Sequence, residues 1–146
     1  MLNKPNSIRI SEPTEENKRK GLRVLLVEDN SNESQLLSDF LRMNGIQVRV
    51  AQNGLEAIEL LAQQVPDVVL IDLHMPICDG PTTIEKIRND QRFRLLRIYA
   101  VSGMTAIESK VSLSADHGVN NWFQKPVQSQ LLLDALNELP VNSLAC

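Results

Sequence analysis

The apolar residues of this chain fall into short runs separated by amphipathic stretches, and the pattern begins abruptly at Leu22. The runs are LRVLLVE at 22–28, IQVRVA at 46–51, DVVLID at 67–72, LLRIYAVS at 95–102 and VNNWFQK at 119–125. Short apolar runs alternating with helical patterns are the signature of βα units built around a parallel sheet. The third run, with Val68, Val69, Leu70 and Ile71 in succession, has the character of a central strand covered on both faces.

Helices are predicted in the intervals. Asn30 with Glu33, and Asn53 with Glu56, have the spacing of an N-cap and the residue three positions on that reaches back to it. Leu36, Leu37, Phe40 and Leu41 then form the apolar stripe of the first helix, which Gly45 ends, and Ala57, Ile58, Leu61 and Ala62 that of the second. Asp79-Gly80-Pro81 opens a third helix, because a first-turn N–H has no intrahelical partner and proline is tolerated there. Ile84 and Ile87 face inward from it, and a fourth helix ends at Gly118. The fifth carries Leu132, Leu133, Leu136 and Leu139 and is stopped by Pro140. The pattern predicts an α/β fold, a doubly wound (βα)5 sandwich with a five-stranded parallel sheet and helices on both faces.

Residues 1–20 break this pattern. They are polar, contain two prolines and end in Lys18-Arg19-Lys20, so they bury too little apolar area to offset the entropy of ordering. They are expected to be a flexible arm with a solvated basic end, residues 21–140 a single domain, and residues 141–146 a short tail. At 146 residues the chain has room for one core. A domain of this length buries roughly 70% of its unfolded surface and needs no disulfide. Cys78 and Cys146 have neither metal-ligand spacing nor a disulfide framework, and Cys78 has no cationic neighbour in sequence to activate it. A net charge of −3 with both signs scattered argues against nucleic acid as a direct partner. No apolar run approaches the roughly 20 residues of a membrane span, and residues 1–20 lack the apolar stretch of a secretory signal. A cytoplasmic protein is expected.

The candidate chemistry lies at strand ends. In open α/β sheets, ligands bind outside the carboxyl ends of the strands, where strand order reverses. Glu28 and Asp29 follow the first strand, Asp72 ends the third, Ser102 ends the fourth and Lys125 follows the fifth. Three carboxylates gathered without compensation repel one another, so a hard divalent cation is the natural resident. Mg2+ takes oxygen ligands and neutralises charge developing on a transferring phosphoryl group. A carboxylate can then act as a nucleophile and form an acyl phosphate. Lys125 supplies a point positive charge for phosphate, and the Ser102 hydroxyl can donate to a phosphoryl oxygen.

Four segments, VLLVEDN at 24–30, LIDLHMPICDG at 70–80, AVSGM at 100–104 and WFQKPV at 122–127, resemble in order and spacing the four motifs of response-regulator receiver domains. The resemblance covers about residues 22–139 and implies the flavodoxin-like strand order 2-1-3-4-5. It implies that Asp72 is the phosphoacceptor, and that Asp29 and Asp72 bind Mg2+ directly with the His74 backbone carbonyl. Glu28 then acts largely through water. Lys125 pairs with the phosphoryl group, and the peptide bond to Pro126 is cis. Ser102 moves toward the phosphoryl oxygen and Trp122 rotates into the vacated space. The face formed by the fourth helix, fifth strand and fifth helix thereby changes. The implied partners are a histidine kinase or histidine phosphotransfer protein upstream, in a phosphorelay, and an unidentified protein target downstream. With no output domain after the last helix, the chain is expected to be a signalling module, a stand-alone regulator or a receiver from a hybrid histidine kinase, that catalyses only its own phosphorylation and dephosphorylation.

Trp122 stands where tyrosine or phenylalanine is usual in that family, Pro81 where an ordinary apolar residue is common, and Gly103 where alanine is. His74 and Met104 occupy the two positions that, in that family, tune acyl-phosphate hydrolysis. Other readings of single residues stay open: Ser102 as a strand-end hydrogen bonder, His74 as an exposed neighbour of the pocket, Trp122 as a fixed core aromatic. Two rival functions remain, a pseudo-receiver that only binds partners, and a haloacid-dehalogenase-type phosphatase. The latter places its aspartate nucleophile on the first strand with a second aspartate two positions on, whereas position 74 here is His. The EDNSNE loop has no glycine to admit a pyrophosphate, which argues against dinucleotide binding.

Overall fold

A computed structural model of the protein describes residues 21–75, 79–103 and 118–139. The expected N-terminal arm, Cys78, fourth helix, Met104, Pro140 and C-terminal tail with Cys146 lie outside the described residues. Five strands form one sheet: β1 (Arg23–Val27), β2 (Gln47–Ala51), β3 (Val68–Asp72), β4 (Arg97–Ser102) and β5 (Asn121–Gln124). All neighbours are parallel and the order is β2-β1-β3-β4-β5. This is the expected doubly wound sheet. Each strand is a residue or more shorter than its apolar run.

Because successive side chains point to opposite faces, each strand feeds two cores. On one face Leu25, Val27, Val69, Ile71, Ile98 and Ala100 pack beneath α2 (Gly54–Gln63) and α3 (Gly80–Arg88). On the other, Val24, Leu26, Val68, Leu70, Tyr99 and Val101 pack beneath α1 (Ser31–Met43) and the C-terminal helix (Ser129–Asn137). All five residues of β3 are buried, as a central strand requires.

The predicted helix starts are found. Asn30 Oδ1 accepts from the Glu33 N–H, Asn53 Oδ1 from the Glu56 N–H, and Asp79 caps α3 through the Thr82 N–H, each at 2.9 Å. Gly45 follows α1 with φ 84°, and Gly118 has φ 74°. Ile84, Ile87, Leu132 and Leu136 are fully buried.

Two apolar stripes need correction. In α1 the buried positions are Ser34, Ser38 and Leu41, whereas Leu36 is 73% exposed. The serine hydroxyls on this inward face donate to the Ser31 and Gln35 carbonyls at 3.1 and 3.2 Å. Leu37 and Phe40 are left on the flanks, half-buried. In α2, Ala57 and Leu61 are buried while Ala62, a further 100° around the helix, is exposed.

Candidate functional site

Ladder bonds continue past the strands and fix the residues that follow them. The Glu28 N–H donates to the Ala51 carbonyl at 3.0 Å, Leu73 to Val101 at 2.9 Å, and Lys125 to Ser102 at 2.8 Å. Glu28, Asp72, Ser102 and Lys125 therefore converge above the carboxyl edge of the sheet. Glu28, Asp72 and Ser102 are buried, and Asp29 is exposed. The peptide bond between Lys125 and Pro126 is cis.

Asp72 is held from two sides. Its Oδ1 accepts from the His74 N–H at 3.0 Å and its Oδ2 from Lys125 Nζ at 3.0 Å. The same ammonium lies 3.3 Å from Glu28 Oε1, and Glu28 Oε2 accepts from the Asn30 N–H at 3.2 Å. At the start of α3 the Gly80 N–H donates to the Leu73 carbonyl at 3.3 Å. A Cβ at Gly80 would lie 2.5 Å from Leu73 Cα and 2.8 Å from the Asp72 carbonyl oxygen, so this turn admits only glycine.

The charge balance favours a cation. One carboxylate oxygen from each of Glu28, Asp29 and Asp72 lies within 4.8 Å of the others. Burial, and then the neighbouring Asp72 charge, push the Glu28 carboxyl up to about 7, against the lowering pull of the Asn30 N–H and Lys125. Burial alone would lower the Lys125 ammonium. Hydrogen bonds to Glu33 and Asp72, with the charges of Asp72 and Glu28, outweigh it and hold Lys125 above its usual value. An all-oxygen donor set whose charge one lysine leaves incompletely balanced fits a hard divalent ion.

His74 is exposed, with Nε2 at 3.5 Å from Ser102 Oγ, the outer edge of hydrogen-bonding range. Trp122 is half-buried and packs against the core under α2 and α3. Glu33 belongs to the pocket and was missed. Sequence spacing placed its carboxylate on the α1 cap, yet only its backbone N–H serves there, and its Oε1 lies 3.0 Å from Lys125 Nζ. The available signal was a third acid close behind a strand end that already carries two.

This arrangement defines a class, a parallel α/β domain that gathers carboxylates and one lysine at its strand ends. Residues 24–137 match the family model of the response regulator receiver domain, and the chain belongs to that family. It is a signalling receiver domain of two-component systems. Chemotaxis protein CheY of Bacillus subtilis is 29% identical over 117 residues, covering 80% of this chain and 95% of that protein. Hybrid signal transduction histidine kinase K of Dictyostelium discoideum is 33% identical over 121 residues, 79% of this chain and 10% of that protein. The chain spans less than half the length of the hybrid kinase and of several other curated relatives. The structure of a response regulator receiver protein from Pseudomonas putida superposes with a TM-score of 0.74 at 31% identity, covering 80% of this chain and 96% of that one. Receiver domains bind Mg2+ through an acidic cluster, and Glu28, Asp29 and Asp72 form such a group here. Among the described residues no helix is long and apolar enough to cross a membrane.

Proposed function

We propose that the chain is a phosphorylation-dependent switch in which Asp72 accepts a phosphoryl group from the phosphohistidine of a histidine kinase or phosphotransfer protein. One observation carries the reading: the buried Asp72 carboxylate meets Lys125 Nζ at 3.0 Å within a cluster of two further acids. Glu28, Asp29, Asp72 and the His74 carbonyl would hold Mg2+, which when bound neutralises charge on the transferring group. The His74 N–H fixes one Asp72 oxygen and directs the carboxylate toward the donor. Lys125 supplies the positive charge, and the Ser102 hydroxyl donates to a phosphoryl oxygen. Movement of Ser102 would be relayed through Trp122 to the face around β5 and the C-terminal helix, where a downstream protein docks. The chain works in the cytoplasm, as a regulator or as a relay station.

The test is intact-mass spectrometry after addition of Mg2+ and acetyl phosphate, with Asp72→Asn as control. A gain of one phosphoryl group in the parent alone is expected. No gain in the parent would reject the reading in favour of a pseudo-receiver.

A further inference from the structure

A lysine ammonium has three N–H donors. In this pocket Lys125 Nζ has three carboxylate partners: Asp72 at 3.0 Å, Glu33 at 3.0 Å and Glu28 at 3.3 Å. A phosphoryl group arriving at Asp72 brings oxygens that need the same ammonium, so one of these contacts must yield. Glu28 is buried and tied to the Asn30 N–H. Asp72 is the atom set being modified. The Glu33 side chain, 52% exposed on the first turn of α1, is the one that water can receive at little cost.

We infer that Glu33 is a positioning residue: it holds Lys125 in the resting pocket and competes with the incoming phosphoryl group for that ammonium, slowing transfer from anionic donors. The inference rests on the reading of Asp72 as phosphoacceptor. In the transfer step an Asp72 carboxylate oxygen forms the new bond to phosphorus. The bond from phosphorus to the donor's leaving oxygen or nitrogen breaks, and its electron pair departs with that atom. Glu33 takes no part in this bond exchange. Its carboxylate lines the same cavity of about 490 Å³ as Glu28, Asp72 and Lys125, so a phosphodonor entering there meets its negative charge. Discrimination against charge and competition for Lys125 act in the same direction.

The experiment follows phosphorylation by intact mass in dilute acetyl phosphate with Mg2+, for the parent, Glu33→Gln and Glu33→Ala. Glutamine keeps the shape, the acceptor oxygen and the backbone cap to Asn30, and removes only the charge. Glu33→Gln is expected to raise the second-order rate constant roughly three- to tenfold at low ionic strength. The ratio should collapse toward one near 1 M salt, where screening acts over about 3 Å. With phosphoramidate, a donor of lower negative charge, the acceleration should be smaller. Glu33→Ala should accelerate at least as much. A structural role would produce neither the salt dependence nor the donor dependence. A parent that gains the group while both variants react no faster, or faster by a ratio indifferent to salt, overturns this inference alone. A parent that gains nothing overturns the phosphoacceptor reading and this inference with it.

Discussion

Gly80 opens α3 against the end of β3 and Gly103 follows β4, and the structure predicts opposite outcomes for giving each a methyl group. At Gly80 the new Cβ would stand 2.5 Å from Leu73 Cα, 2.8 Å from the Asp72 carbonyl oxygen and 2.9 Å from Leu73 Cδ2. Two of these three are backbone atoms of the strand end that carries Asp72, and no rotamer change can relieve them. Either the start of α3 or the end of β3 must retreat by about 1 Å in a close-packed interior. Overpacking of this kind costs about 3 kcal/mol. For a domain of this size that is a fall of about 10 °C in Tm, or about 2 M in the urea midpoint at a slope of about 1.5 kcal/mol/M. If Asp72 is the phosphoacceptor proposed above, a displacement of that size would also slow its phosphorylation on the order of 10- to 100-fold. At Gly103 a Cβ meets nothing within 4 Å among the described residues, and the backbone is not left-handed. Gly103→Ala should therefore stabilise by about 0.4–1 kcal/mol through loss of unfolded-state entropy. The assay is urea unfolding of both variants beside the parent, with the mass-gain rate measured on the folded fraction. A Gly80→Ala protein as stable as the parent, or a Gly103→Ala protein less stable than it, would refute the packing argument.

Three further outcomes are expected. Glu28 holds its proton to about 7 in the folded chain against an ordinary value near 4.5, so between those values the folded state keeps a proton the unfolded state has lost. Without divalent cation, stability should then fall as pH rises from about 5 to 7.5, by at most about 3 kcal/mol, and Glu28→Gln should remove that component. Urea curves in EDTA at both ends of the window decide it: parallel behaviour of parent and variant sinks the assignment, and Mg2+ should restore the parent at high pH. Arg88 donates to the carbonyls of Gly118 at 2.6 and 3.2 Å, Phe93 at 3.0 Å and Arg94 at 3.1 Å, and so ties the end of α3 to the entry into β5. Arg88→Ala should cost about 2–3 kcal/mol, and Arg88→Lys should recover little because an ammonium cannot span that fork; full recovery by lysine in thermal melts would contradict this. Trp122 fluorescence should change when Asp72 is phosphorylated, and an unchanged spectrum in fully phosphorylated protein would remove Trp122 from the switch.

The strand ends were legible in the sequence for a physical reason. A strand buried on both faces excludes charge along its length, so Asp72 at the end of an aliphatic run stands out against its own element. The same contrast marks Glu28 and Ser102. Periodicity located the four described α-helices as well, though not the 3-10 turn at Gln91–Phe93, and it fixes the phase of a stripe only to about one residue, or 100°. In α1 the buried face carries serines at positions 34 and 38, whose hydroxyls are satisfied within the helix, and hydrophobicity cannot register such residues as inward. Leu36 was therefore assigned inward and lies outward.

The Glu33 contact was hidden for a different reason. It joins residues 92 positions apart, and no local pattern links them. Spacing gave Glu33 a complete local role as the partner of the Asn30 cap, and the structure uses only its backbone for that role. The two assignments compete because a helix that follows a parallel strand starts at the strand's carboxyl end. Its first turn, where acids suit the helix dipole, is also the rim of the pocket. An acid in that turn can serve the helix or the site, and a capping motif cannot distinguish them. In this chain the lysine decides: three carboxylates stand within 3.3 Å of Lys125 Nζ, and the one supplied by the helix start is the most exposed and the most readily released.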